Sequence, residues 1–161
     1  MIGGPRSLPL VMPGEPPRIV AHRGYSARHP ENSMAAFRAA VEAGARGIEL
    51  DIHLSAKGEA VVFHDFTLER LHGDPRRLVE LTNSELASFG IPLLKELFAT
   101  FGDGIFYDVE IKSRRSGPTG AEREAVRLVR QYGLEERVLI SSFNPHALRA
   151  VASAGGEIPR G

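Results

Sequence analysis

From residue 18 onward, two hydrophobic patterns alternate along the chain. Short β-branched or apolar runs occupy 19–21, 47–52, 60–63, 105–111 and 138–143, and most are separated by segments of helical period. This alternation predicts an α/β fold with about five strands in a parallel sheet. Val61-Val62-Phe63 and Val138-Leu139-Ile140 are apolar without alternation, as in strands buried on both faces. Helix boundaries carry their own signals. Asn32-Ser33 can cap a helix bearing Phe37, Ala40 and Val41, Thr82-Asn83-Ser84-Glu85 has the form of a capping box, and Pro92 opens a helix to about Phe101. A helix over 122–132 stops at Gly133, and Asn144-Pro145 begins the last one. The link between Ile52 and Ala60 is too short for a crossover helix, so it is either a hairpin turning at Lys57-Gly58 or an extended return to a parallel strand. The stretch 66–90 is polar and irregular and reads as a loop over a pocket mouth.

Composition narrows the class. The 161 residues fit about one domain, and the 17 Gly and 11 Pro predict a loop-rich globular chain. The absence of Cys excludes a disulfide framework, a thiolate metal site and a Cys nucleophile. Twenty basic residues balance 20 acidic ones without a basic run, which argues against nucleic acid as a partner. No apolar run reaches the ~18 to 20 residues that span a bilayer, so no stable membrane insertion is expected. Residues 1–17 lack the apolar core of a secretory signal and read as a disordered Pro-rich lead-in, with a cytoplasmic location.

The polar residues collect where parallel α/β folds place their chemistry, at the C-terminal ends of strands. The first run ends in His22-Arg23-Gly24, the second carries Glu49 and Asp51, the third ends in His64-Asp65, and the fourth carries Glu110 and Lys112. Residues two apart on a strand share a face, so Glu49 and Asp51 are neighbours while Ile48, Leu50 and Ile52 pack the other way. Two such carboxylates favour a shared proton or a cation between them, and oxygen ligands suit Ca²⁺ or Mg²⁺. Alone, the pair is more often a strand edge balanced by surface arginines, and Glu110 with Lys112 more often a structural salt bridge. Together they supply three carboxylates and an ammonium for a phosphoryl oxygen.

His22 and His64 can act as general acid and base near neutral pH, Arg23 can hold an anion, and Gly24 can let the backbone approach a ligand. Glu31 and Asn32 lie close enough in sequence to reach the pocket, although Asn32 also fits the helix N-cap. His53 reads as a surface or barrel-lining residue, with a supporting role for Asp51 as the alternative, and His72 and His146 receive no role. The missing G-x-S-x-G, P-loop and G-x-G-x-x-G motifs argue against serine hydrolases, nucleotide kinases and dinucleotide enzymes. Paired carboxylates also suggest a glycosidase, which two histidines and a lysine in one pocket make a poor fit.

Taken in order, His22-Arg23-Gly24, Pro30-Glu31-Asn32-Ser33, Gly47-Ile48-Glu49-Leu50-Asp51, Val61-Val62-Phe63-His64-Asp65, Glu110-Ile111-Lys112 and Ser142-Phe143-Asn144 resemble the glycerophosphodiester phosphodiesterases. The resemblance covers residues 18–161 and implies an α/β fold of the (β/α)8 TIM-barrel type. A complete barrel takes ~250 residues, so about the first five strand-helix units are expected here. The resemblance also implies that Glu49, Asp51 and Glu110 bind Ca²⁺ or Mg²⁺, that His22 and His64 are acid and base, and that Arg23 and Lys112 contact phosphate. The implied substrate is a glycerophosphodiester, cleaved to glycerol 3-phosphate and an alcohol. The short link after Ile52 is then expected to be the parallel return. The chain lacks the Trp-containing segment of that family and ends at Ile158-Pro159-Arg160-Gly161, where a sixth strand is due, so a truncated barrel is expected. An inactive fragment that keeps only metal or phosphate binding, and a lysophospholipase D-like variant of the same barrel, are the alternatives.

Overall fold

In the computed structural model, which describes residues 19–114 and 116–161, strands and helices alternate much as the hydrophobic pattern predicts. The proposed lead-in at 1–17 and the domain boundary at residue 18 lie outside the described residues. Chain order is β1 (Val20–His22), α1 (Met34–Glu42), β2 (Gly47–Leu54), β3 (Ala60–Val62), β4 (Thr67–Leu68), α2 (Glu69–His72), β5 (Asp74–Arg77), α3 (Asn83–Ser88), α4 (Leu94–Phe101), β6 (Phe106–Ile111), α5 (Ala121–Tyr132), β7 (Val138–Ser141) and α6 (Pro145–Ala154). No helix among the described residues is long and apolar enough to cross a membrane.

The sheet runs β1-β2-β6-β7, all parallel, with β3 attached to β2. Beyond β7, Ile140 forms an isolated parallel bridge with Arg160, and backbone hydrogen bonds hold 159–161 alongside 140–142. β2 and β6 divide their side chains by the two-residue period of a strand. Ile48, Leu50, Ile52, Tyr107, Val109 and Ile111 are buried in the main core with Phe37, Leu97, Phe98 and Val129 from the helices. Each such apolar side chain contributes roughly 1.5–3 kcal/mol by leaving water. Glu49, Asp51, Asp108 and Glu110 occupy the alternate positions and form the polar face.

The link after Ile52 corrects the parallel expectation. β2 and β3 form an antiparallel hairpin, pairing Ile52 with Val62 and Leu54 with Ala60. The turn closes with the Gly58 N–H donating to Ser55 O at 2.9 Å, and Gly58 sits at φ 75, where L side chains are strained. β2 is long enough that β1 takes 47–49 and β3 takes 52–54, while β6 pairs along 47–52 on the other edge. β3 therefore runs back down β2, and the Phe63 N–H donates to Asp51 O at 2.9 Å. His64 reaches the polar face by this return, not by ending a parallel strand.

The stretch 66–90 is also more ordered than a loop. β4 and β5 pair antiparallel, and Leu68, Leu78, Leu81 and Leu86 join Val61 and Phe63 in a second apolar cluster. Those leucines follow no single period, which hides them in the sequence. His72 packs there between the rings of Phe63 and Phe89.

The start of α5 depends on one buried acid. Glu122 is 0% exposed and accepts from the backbone N–H groups of Thr119 at 3.1 Å and Gly120 at 2.9 Å. A carboxylate there also favours the helix dipole. Glu122→Leu keeps the volume but strands both donors, and should lower stability by about 2 kcal/mol. Urea unfolding measures this; an unchanged midpoint would show that the carboxylate is not needed there.

Candidate functional site

The centre of the polar face is Asp51, which is 0% exposed. Its Oδ2 accepts from Asn32 Nδ2 at 2.8 Å and lies 3.3 Å from Arg23 Nε. Lys112 Nζ sits 2.9 Å from Oδ1 as an ion pair, yet Oδ1 has no hydrogen bond of good geometry. These partners arrive by an unusual backbone path. Arg23 and Asn32 both have φ 55, a left-handed conformation that costs non-glycine residues of the order of 1 kcal/mol. The path is held by the Asn32 N–H donating to Arg23 O at 3.1 Å and the Arg23 N–H donating to Glu49 Oε2 at 3.0 Å.

One reading of this loop changes. Ser33 caps α1, its side chain accepting from the Ala36 N–H, which leaves Asn32 for Asp51. Gly24, at φ 77, also has a packing reason to be glycine: a Cβ there would lie 2.7 Å from the Ala36 carbonyl carbon, against the start of α1.

Glu49, Asp51 and Glu110 each offer a carboxylate oxygen, and these oxygens lie within 4.8 Å of one another. Burial, followed by the like charge of Asp51, pushes Glu49 up to about 7. Burial also raises Asp108, which accepts from Ser141 Oγ at 2.6 Å. Lys112 donates to Glu110 at 2.7 Å. Burial alone lowers an ammonium's pKa, but Glu110 and Asp51 outweigh it and hold Lys112 above its ordinary value. A cluster of hard oxygen donors, with an Asp51 oxygen held only by its ion pair to Lys112 and a destabilised Glu49 charge, suits a divalent cation.

His22 is at the rim, its side chain 70% exposed and its Nε2 3.7 Å from Glu49 Oε2. His64 Nδ1 lies 2.6 Å from Asp65 Oδ1, an arrangement that places the proton on Nδ1 and leaves Nε2 for chemistry. Both histidines, Arg23, Glu49, Glu110 and Lys112 line one cavity of about 580 Å³. Glu31 is brought to the edge of the site, pairing with Arg23 Nη1 at 3.2 Å and with Arg70, which also holds Asp65. Asp65 is signalled by its position next to His64, whereas Arg70 and the Asp108–Ser141 pair have no local signature. His53 is buried and pushed down to about 4 by that burial, so it is neutral near pH 7 and its Nε2–H donates to the His64 carbonyl at 3.1 Å. It thus positions the backbone of His64.

Fold and site together define a partial (β/α) barrel whose inner face carries three carboxylates flanked by two histidines. The chain belongs to the glycerophosphoryl diester phosphodiesterase family, whose sequence profile matches residues 22–161. A glycerophosphodiester phosphodiesterase of Caldanaerobacter subterraneus is 40% identical over 147 residues, covering 83% of this chain and 60% of that protein. The crystal structure of a glycerophosphodiester phosphodiesterase from Thermotoga maritima superposes with TM-score 0.77 at 34% identity, covering 91% of this chain and 62% of that one. An Oleispira antarctica phosphodiesterase in complex with the product sn-glycerol-3-phosphate matches with TM-score 0.73 at 28% identity, over 89% of this chain and 64% of the other. The chain thus spans somewhat over half the length of these relatives.

Asn32 is the neutral donor that makes the buried Asp51 charge tolerable. Asn32→Leu should lower stability by about 1.5–3 kcal/mol, the range for a lost hydrogen bond to a charged group. Asn32→Ser should recover part of that loss in chemical denaturation; equal stability of wild type and Asn32→Leu would mean that Asp51 does not rely on this contact.

Proposed function

We propose that this chain hydrolyses glycerophosphodiesters to sn-glycerol 3-phosphate and an alcohol. The observation that carries the reading is the cluster of Glu49, Asp51 and Glu110 at a cavity that Glu49, Glu110, His22 and His64 line, in a chain of this family. The product complex of the Oleispira antarctica relative supports the substrate class. Water adds to phosphorus, the phosphorus–oxygen bond to the alcohol breaks, and the proton lost by water is matched by one gained by the alcohol.

Glu49, Asp51 and Glu110 would hold a divalent cation, Ca²⁺ or Mg²⁺. When bound, that cation supplies positive charge against the phosphoryl oxygens. Lys112 and Arg23 add cationic donors beside it, since both already lie against Asp51. One of His22 and His64 takes the proton from water and the other delivers one to the leaving oxygen. Asp65 holds His64 in the tautomer that keeps Nε2 available, and His53 fixes the backbone from which His64 projects.

A second reading, cation and phosphate binding without turnover, would use the same carboxylates with Arg23 and Lys112. Release of sn-glycerol 3-phosphate from glycerophosphoethanolamine, followed with added Ca²⁺ or Mg²⁺, decides between the two. Product formation that is abolished by chelation, and reduced about 100-fold or more in His22→Ala and His64→Ala, is expected for the hydrolase. Turnover that survives chelation or either substitution would refute the assigned roles. A cation-dependent rise in melting temperature without product would establish the binding reading instead.

A further inference from the structure

A second cavity, of about 640 Å³, borders the proposed reaction site at Lys112. Lys112, whose ammonium lies on Asp51 and Glu110, is the residue that the two cavities share. A hollow between them shares His64 and Lys112 with the first cavity and Phe66, Thr67 and Arg114 with the second. The depression is thus continuous from the carboxylates outward, and its volume lies in the range of small-molecule sites.

The second cavity, unlike the hollow, which Asp65 and Glu69 also line, is one-sided in charge. Arg77, Arg114 and Lys112 line the second cavity, together with hydroxyl and apolar side chains, and no carboxylate lines it. Neighbouring arginines are differently placed. Arg70 is paired with Glu31 and Asp65, and Arg76 with Asp74 and Glu85. Arg114 instead lies over the Phe66 ring, 4.3 Å from its centroid, and forms no ion pair among the described residues. The face of the guanidinium is held by the ring while its N–H edges keep their donors. Arg77 also forms no ion pair among the described residues; nearby Glu80 accepts instead from the Arg77 backbone N–H at 3.3 Å. Two guanidinium groups without carboxylate partners, on one concave surface, attract an anion and repel a quaternary ammonium.

We infer that this cavity receives the leaving alcohol of the diester and selects one that carries its own anionic group over one that carries only a cation. The inference rests on the hydrolysis proposed above, because it assigns the cavity to the part of the substrate beyond phosphorus. It makes Arg77 and Arg114 specificity-determining residues, with no part in moving protons.

Glycerophosphoserine and glycerophosphoethanolamine are matched probes, since their alcohols differ by one carboxylate. With divalent cation present, kcat/KM for the serine diester should exceed that for the ethanolamine diester about tenfold, and glycerophosphocholine should be poorer still. Arg77→Gln and Arg114→Gln should each lower the serine-to-ethanolamine ratio, and Arg114→Glu should invert it. Loss of packing on Phe66 would slow both substrates and leave the ratio unchanged. A wild-type ratio near one, or a ratio that survives Arg114→Glu, would overturn the inference. If neither diester is cleaved, the hydrolytic reading fails and calorimetric titration of the same two diesters tests the cavity. Tighter binding of the serine diester, lost in Arg114→Glu, then supports an anion-selective pocket; equal affinities overturn it.

Discussion

A carboxylate buried completely in the polar face of the sheet constrains much of this molecule. An isolated buried charge costs several kcal/mol, so Asp51 can be tolerated only where other groups reach it. Its partners come from separate parts of the chain: Asn32 and Arg23 from the loop after β1, and Lys112 from the residue after β6. Register follows from this requirement. β1 must pair His22 with Glu49, and β6 must pair Glu110 with Asp51, for these side chains to meet. A slip of one residue would turn every side chain of a strand to the opposite face, placing carboxylates in the apolar core. Electrostatics and packing therefore select the same arrangement, and the left-handed residues Arg23 and Asn32 store the strain that completes it.

The hairpin of β2 and β3 solves a second problem of placement. A parallel strand would need an extended return of the chain before it could bring His64 to the same end of the sheet. By turning back along the edge of β2, the chain brings His64 to the level of Asp51 within twelve or so residues. Neutral His53 then bonds the His64 carbonyl, and Asp65 and Arg70 continue the contacts to Glu31. The side chain at the cavity is supported from both the sheet and the insertion that follows it. This explains why 66–90 carries its own apolar cluster: a segment that positions a site residue must be anchored more firmly than a mobile cover.

Much of this was legible from residue spacing. Glu49 and Asp51, and Glu110 and Lys112, share a face because strands repeat every two residues, so their convergence required only that the strands be neighbours. The hairpin was less legible, since a link of a few residues permits either direction until hydrogen bonds choose one. Asn32 was ambiguous because asparagine suits both a helix cap and a left-handed loop, and the adjacent Ser33 took the cap. Arg70 and Asp108 could not be read locally, because their partners are fixed by folding rather than by a repeating pattern. The leucines of the insertion gave no period, since a small cluster filled from turns and short helices has no single axis.

The charge balance around Asp51 links the proposed cation site to phosphate recognition. Three carboxylates face two cationic side chains, Lys112 and Arg23, so this inner set retains a negative charge when all are ionised. Such a set would repel a phosphodiester, which is itself an anion. Raising Glu49 to about 7 relieves part of that repulsion by protonation, at the loss of a ligand oxygen. A divalent cation relieves it more completely, because it favours the ionised form of all three acids and reverses the sign of the set. Lys112 and Arg23 then have less need to neutralise Asp51 and more capacity to hold the diester. Cation and phosphate binding are in this way expected to be cooperative, with Asp51 as the residue through which each acts on the other.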